Sequence, residues 1–263
     1  MISDHLPNIK GLILDMDGVL WRDMEPIGDL PAIFQAFNDQ GLRVILATNN
    51  ATKTVNEFFS KVRRFGVELE DWQVISAAQA TGIFLAEKYP DGCNVYAVGT
   101  PSLIKILEDA GLTVLTERSE KVQVVVAAMD TGLTYEKLKN AELLVRSGCE
   151  FIGTNPDVTY PSPEGLIPGA GTVVGAIEIA SGKKARIIGK PEPLMYQMAM
   201  KRLGLKPEET LGVGDRLETD ILGAQAAGVR SAFVLSGAST LEQAHQMATP
   251  PDIIVKDLSE LVF

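Results

Sequence analysis

Two aspartates one residue apart, Asp15 and Asp17, follow the apolar run Gly11-Leu12-Ile13-Leu14 and precede Gly18. The run is short enough to be a single buried strand. Such a strand tolerates charge only at its end, because an uncompensated charge inside costs several kcal/mol or more. In extended chain, residues i and i+2 point to the same side, so both carboxylates can reach one small volume. Two anions held that close repel unless a proton or a cation separates them. The chemistry on offer is metal binding or proton transfer at the carboxyl end of an early strand. A strand followed by an ordinary acidic turn is the other reading.

The theme returns late in the chain. Thr210-Leu-Gly-Val-Gly214 reads as a strand, and Asp215 follows it directly, with Glu218 and Asp220 close behind. Asp220 fits a helix cap, whereas Asp215 has no capping pattern. Between these two acidic sites lie Thr48-Asn49-Asn50, at the end of the strand Arg43–Thr48 and before a helix. Free N–H groups at a helix start favour an anion, although a capping turn would also explain these residues. Lys190 stands between the short apolar segment 185–189 and the turn Pro191-Glu192-Pro193. It is either a fixed positive charge at a sheet end or a solvated loop lysine. Together, Asp15, Asp17 and Asp215 would make a hard oxygen cage suited to Mg2+. A hydroxyl, backbone N–H groups and Lys190 would ring it with donors. That set suits a phosphoryl group, whose transfer depends mostly on positioning and electrostatics.

Elements of matching period must hold these groups. Leu30, Ile33, Phe34 and Phe37 predict a helix closed at Gly41, and Val55, Phe58, Phe59, Val62 and Phe65 predict another closed at Gly66. A polar link, Trp21 to Pro31, precedes the first. Alternation of strand and helix predicts a parallel sheet covered on both faces, with ligands beyond the carboxyl ends of its strands. From about Ile75 to Ala185 a smaller α/β unit is predicted, with strands near 94–98, 113–115, 122–128 and 150–153 and helices near 103–110 and 135–147. It ends in an irregular, proline-rich stretch from Thr154 to Pro168 that includes Pro161 and Pro163. Gly169-Ala-Gly171-Thr-Val-Val-Gly175 imitates a dinucleotide fingerprint, but its spacing is one residue too long and no strand precedes it; a glycine turn into a helix over 173–180 is expected. The main sheet is expected to resume at 185–189, followed by a helix marked by Leu194, Met198 and Leu203. Strands at 230–235 and 252–255 should close it.

Composition narrows the partners. The chain has 263 residues, 46% hydrophobic, with a net charge of −10 and a pI near 4.8. That balance argues against a nucleic-acid backbone or an anionic membrane as partner. No secretory signal is visible and no apolar run approaches the ~20 residues of a membrane span, so a cytoplasmic location is expected. Cys93 and Cys149 form no metal or disulfide pattern and read as buried thiols; His5 and His245 are isolated.

Asp15-Met-Asp17-Gly-Val, Thr48-Asn-Asn, Gly189-Lys190-Pro and Gly214-Asp215 with Asp220 resemble the four ordered motifs of the haloacid dehalogenase superfamily of phosphatases. The insertion between the second and third motifs, the spelling Asp-Met-Asp-Gly-Val-Leu-Trp and the Thr154-Asn-Pro-Asp157 loop resemble its p-nitrophenylphosphatase (NagD-like) branch. The resemblance covers almost the whole chain. It implies an α/β fold: a Rossmann-like doubly wound core over 1–78 and 186–263, and an inserted α/β cap over 79–185 that covers the site. It implies a phosphatase acting on a small phosphorylated metabolite, with Mg2+ as cofactor. Asp15 would be the nucleophile, and Asp17 the general acid and then the base. Asp15, the Asp17 carbonyl and Asp215 would hold the metal, and Asp220 would support that shell or Lys190, with Glu218 as the other candidate for that role. Gly18, Thr48, Asn49 and Lys190 would bind the phosphoryl oxygens, and Asn50 would contact substrate. Asn155 and Asp157 would read substrate, with a structural Asn-Pro turn as the alternative. A homodimer through the cap is common in that branch. A phosphomutase on the same core, or a non-catalytic phosphometabolite sensor, are the alternatives.

Overall fold

Leu12, Ile13 and Leu14 are buried on both faces of a sheet, which is why the first strand reads as a continuous apolar run rather than an alternating one. The computed structural model describes residues 6–162 and 164–263, so His5 and Pro163 lie outside the described residues. Two compact units emerge. The first runs through Thr48, takes up Val55–Ile75 and resumes at Lys190–Phe263; the second comprises Asn49–Thr54 and Ser76–Gly189.

The first unit is built on a six-stranded sheet in the order Ile253–Val255, Arg230–Val234, Thr210–Gly214, Gly11–Leu14, Arg43–Thr48, Val74–Ser76. Gly11–Leu14 sits at its centre and pairs in parallel with both Thr210–Gly214 and Arg43–Thr48. Leu14 is level with Val213 on one side and Leu46 on the other. One residue further on, Asp15 therefore comes level with Gly214 and Ala47, and the chain leaves the sheet there on all three strands. Helices Leu30–Asp39 and Val55–Arg64 form as expected, burying Leu30, Ile33 and Phe37 from the first and Phe58 and Val62 from the second. Trp21 to Pro26 is not a polar link. Trp21–Arg22 pairs antiparallel with Glu25–Pro26, and the Trp21 ring is buried in the main core beside Phe65. The polar residues that follow Trp21, Arg22 and Asp23, hide this in the sequence.

The second unit has a five-stranded parallel sheet in the order Arg186–Ile187, Glu150–Gly153, Val124–Ala127, Asn94–Val98, Thr113–Leu115. Helices Ala77–Lys88, Pro101–Asp109, Tyr135–Arg146 and Ala170–Ser181 accompany it. Three expectations need correction. The segment 185–189 does not resume the first sheet: Arg186–Ile187 pairs with Glu150–Gly153 in this second sheet. Only a partner decides which sheet a two-residue strand joins, and the partner is distant in sequence. The stretch from Thr154 to Pro168 is not wholly irregular, since Thr159–Ser162 and Gly165–Pro168 form an antiparallel ribbon. A two-stranded ribbon is all edge, so prolines 161 and 168 cost it no obligatory ladder bond. Cys149 is only partly buried, whereas Cys93 is buried.

The glycine turn before the helix is real, and its helix starts earlier, at Ala170. A Cβ on Gly169 would lie 2.3 Å from the Asp157 carbonyl oxygen, and one on Gly171 would lie 2.1 Å from that of Pro156. These glycines let the helix start press against the Pro156–Asp157 backbone; no cofactor is needed to explain them. Among the described residues, no helix is long and apolar enough to cross a membrane.

Candidate active site

Lys190 is the centre of the site in the first unit. Its residue is 2% exposed. Its Nζ donates to Asp15 Oδ1 at 2.5 Å, to Asp220 Oδ1 at 2.6 Å and to the Ala47 carbonyl at 2.9 Å. An ammonium has three N–H donors, and these contacts use them all. Burial alone would lower the Lys190 pKa, but the carboxylates of Asp15 and Asp220 outweigh it and hold the ammonium well above the usual lysine range. The contact to Ala47 follows from the register, which brings the end of Arg43–Thr48 alongside Asp15.

The carboxylates are crowded. Oxygens of Asp15, Asp215 and Asp220, one from each, lie within 4.8 Å of one another. Burial, with Lys190 opposing it and the charges of Asp220 and Asp215 adding to it, raises the Asp15 pKa well above the ordinary carboxylate range. Asp215 is pushed up to about 7, first by burial and then by the charge of Asp220. The Ala238 N–H donates to Asp215 Oδ2 at 2.7 Å and pulls the other way. Asp215 Oδ1 is buried and has no hydrogen-bond partner. A buried carboxylate oxygen without a donor, beside two further carboxylates, is the environment a hard divalent cation completes. The donor set therefore fits Mg2+.

Asp220 reaches this cluster because Leu217–Ile221 is a π-helical turn, of the kind often found at functional sites. The turn folds Asp220 back so that its Oδ2 accepts the Arg216 N–H at 3.0 Å while Oδ1 accepts from Lys190. The Tyr196 hydroxyl donates to the Asp220 carbonyl at 2.8 Å and fixes the turn from below. Asp220 thus anchors Lys190 directly. Glu218 is exposed, and its Oε2 lies 3.5 Å from the Ser239 hydroxyl. Gly18 has φ +85°, and a Cβ there would lie 2.4 Å from Asp215 Oδ2; at Gly237 the distance would be 1.9 Å. The sequence reading gives Gly18 to the phosphate. The structure adds that Gly18 and Gly237 make the slot in which the Asp215 carboxylate sits.

Asp17 is not part of the cluster around Lys190. The Trp21 Nε1–H donates to Asp17 Oδ1 at 2.7 Å, and Lys61 Nζ is 3.9 Å from the same oxygen. Thr48 ends its strand and is buried.

The remaining predicted residues gather within the second unit. Asn155 Nδ2 donates to the Asn49 carbonyl at 2.7 Å, and Asn155 Oδ1 accepts the Asp157 N–H at 3.0 Å. Asn49 Nδ2 donates to Asp157 Oδ2 at 3.2 Å. Asn50 Nδ2 donates to the Tyr160 hydroxyl at 3.3 Å, while Asn50 Oδ1 accepts from the Thr52 N–H and hydroxyl. The side chains of Asn155 and Asp157 thus hold Asn49, which favours the structural reading of the Thr154–Asp157 loop. Sequence reasoning missed Trp21, Lys61, Tyr160, Tyr196 and Gly237. Only Trp21, four residues after Asp17, gave a signal that local spacing could have caught.

A buried lysine between aspartates, at the carboxyl ends of adjacent parallel strands and beside a cation-ready carboxylate, defines an α/β enzyme centre for an anionic substrate. Comparison with known proteins agrees. A family model described as haloacid dehalogenase-like hydrolase matches residues 12–113, and a second, HAD-hydrolase-like, matches residues 187–261. Acid sugar phosphatase of Staphylococcus aureus is 35% identical over 253 residues, 96% of each chain. The 4-nitrophenylphosphatase of Thermotoga maritima superposes with a TM-score of 0.91 at 34% identity, covering 98% of this chain and 97% of its own. A glycerol phosphate phosphatase from Mycobacterium tuberculosis, solved with magnesium, gives a TM-score of 0.89 at 31% identity over 97% of this chain and 77% of its own. The chain belongs to the haloacid dehalogenase-like hydrolases, in their NagD-like phosphatase branch.

Proposed function

We propose that this chain is a Mg2+-dependent phosphatase that hydrolyses small phosphomonoesters through an aspartyl-phosphate on Asp15. The observation that carries this reading is the Lys190 ammonium held between Asp15 and Asp220, next to the unpartnered Oδ1 of Asp215. Asp15, the Asp17 carbonyl and Asp215 would hold the metal, which offsets negative charge on the phosphoryl oxygens when bound. A carboxylate oxygen of Asp15 attacks phosphorus in line, and the ester P–O bond breaks as Asp17 gives its proton to the leaving oxygen. Asp17 then takes a proton from water, which attacks the phosphorus of the acyl phosphate, releasing phosphate and restoring Asp15. Covalent catalysis of this kind splits one difficult displacement into two easier ones. Lys190 keeps Asp15 oriented and supplies positive charge where the phosphoryl charge develops. The Thr48 hydroxyl and the Asn49 amide are assigned to phosphoryl oxygens, Asn50 to substrate, and the second unit to the role of the branch's cap. The activities of these relatives put sugar phosphates, glycerol phosphates and p-nitrophenyl phosphate first among substrates to try.

The test is phosphate release from a panel of these esters with Mg2+ and with excess chelator. Mg2+-dependent release is expected, and the order of kcat/KM names the substrate class. No release from folded protein with Mg2+, or transfer to an organic acceptor without free phosphate, would shift the reading to a sensor or a mutase. The metal makes a separate prediction. With Asp215 at about 7 in the metal-free protein, Mg2+ must displace a proton below that pH. Its apparent affinity should fall by ~10-fold or more per pH unit below neutrality, because Asp15, whose pKa is also raised, must give up a proton too. Calorimetric titration from acid to alkaline pH, in buffers of different ionisation enthalpy, reads both the slope and the released proton. A flat profile would remove Asp215 from the metal site.

A further inference from the structure

Asp17 has a setting of its own. The Gly18 N–H donates to the Trp21 carbonyl at 2.8 Å, so the backbone closes a tight turn between Asp17 and Trp21. The Trp21 ring is 1% exposed and packs beside Phe65. It is large and fixed, and an indole N–H can only donate. That N–H meets Asp17 Oδ1 at 2.7 Å, in the range of charge-assisted bonds. On the face of the same indole, 4.2 Å from the ring centroid, stands the Lys61 ammonium. Lys61 projects from the helix Val55–Arg64, its side chain 14% exposed, and lies 3.9 Å from the same Oδ1. A solvated helix lysine would not be this covered, and the buried indole N–H, which needs an acceptor, finds it in a carboxylate that is itself 39% exposed.

We propose that Trp21 and Lys61 are positioning residues that pin the Asp17 carboxyl group by its Oδ1 and so turn Oδ2 toward the leaving oxygen. The inference rests on the reading of Asp17 as proton donor given above. The terminal torsion of an aspartate is broad, and a free carboxylate would present either oxygen. Here one N–H donor and one ammonium address the same oxygen, the first by a hydrogen bond and the second as an ion pair at 3.9 Å. Oδ1 accepts the indole N–H and faces an ammonium, which leaves Oδ2 as the oxygen presented to the leaving group. As the bond from phosphorus to the leaving oxygen breaks and the bond to Asp15 forms, the Oδ2 proton passes to the leaving oxygen and Asp17 becomes a carboxylate. Cation–π contact with the indole keeps Lys61 in place between turns of the cycle.

The test compares kcat/KM for an alkyl phosphomonoester with that for p-nitrophenyl phosphate. An alkoxide needs a proton to leave, whereas p-nitrophenolate does not. The ratio kcat/KM stops at transfer to Asp15, so hydrolysis of the intermediate does not enter. Asp17→Asn should lower the alkyl value, relative to the aryl value, by ~10²–10⁴-fold, the usual worth of a general acid. Trp21→Phe and Lys61→Met should each lower the same ratio by roughly 10-fold, the scale of a mispositioned group, and Lys61→Arg should restore most of it. Lys61→Met leaves the core untouched, so it carries the test if Trp21→Phe loses its fold by circular dichroism. If Asp17→Asn collapses the ratio while both clamp variants leave it unchanged, the clamp is wrong. An equal loss on both substrates in Lys61→Met, carried by KM, would make Lys61 a phosphate ligand instead. An unchanged ratio in Asp17→Asn would sink the reading of Asp17 itself, a result distinct from failure of the clamp.

Discussion

Asp15→Asn should abolish turnover, by on the order of 10⁴-fold or more in kcat, because an amide oxygen cannot form the acyl phosphate. The fold should survive. Asn keeps the shape and the Oδ1 acceptor for Lys190, which retains Asp220 and the Ala47 carbonyl. A stability change of definite sign should accompany the loss. The folded-state pKa of Asp15 is raised, first by burial and then, against Lys190, by Asp220 and Asp215. A group with a raised folded pKa stabilises the fold fully below its unfolded pKa and loses that contribution as pH rises through the folded value. Without metal, the wild-type protein should therefore lose ground to Asp15→Asn as pH rises from acid toward neutral, and the two should converge in acid. Phosphate release and chelator-treated melting curves across pH check both parts. Substantial remaining activity would mean that another group is the nucleophile.

Lys190→Met should damage both activity and stability. Removing one donor aimed at developing charge typically costs ~10²–10³-fold in kcat, and Lys190 also orients the attacking carboxylate. Breaking a buried ion pair by deleting one partner costs about 3–5 kcal/mol, because the other charge stays behind uncompensated. Here two carboxylates stay behind, those of Asp15 and Asp220. The lysine's own pKa is raised, so its contribution is fully present below its unfolded value and does not vary across the neutral range. The pH dependence of the variant comes from the stranded carboxylates instead. Protonation of Asp15, whose pKa is already raised by burial, relieves the uncompensated charge, so the deficit should shrink as pH falls and grow as it rises. Chemical denaturation at acid and neutral pH measures the difference. A deficit that is the same at both would mean that Asp15 and Asp220 are not the groups left exposed.

Much of this site was legible before any coordinates. Asp15 and Asp215 each follow an apolar or glycine-flanked run that can only be a strand, and a charge there has one place to go, the strand's end. Lys190 was harder. Its neighbours 185–189 look like a core strand, yet they pair in the second unit's sheet, and the lysine enters the first unit as that strand ends. The Thr154–Asp157 loop could be found by its spelling, but its spelling gave no sign that Asn155 and Asp157 hold Asn49. That bond spans 106 positions for Asn155, beyond the reach of any local pattern.

Most of the strands and helices, and the charged groups at their ends, could be read from local sequence, because hydrophobic period and turn residues are local and burial punishes misplaced charge. The sequence by itself determined the family, because four ordered motifs and an insertion of the right size are specific. Tertiary structure alone decided how those groups divide the work. Register set Asp15 level with Ala47 and Gly214. A π-helical turn sent Asp220 to Lys190 rather than to a cap, and left Glu218 exposed. Packing of a helix against a ribbon put Lys61 on the Trp21 ring and both on Asp17. Each of these depends on the meeting of segments far apart in the chain, where a shift of one residue or a few ångströms changes the partner, and no local pattern carries that information.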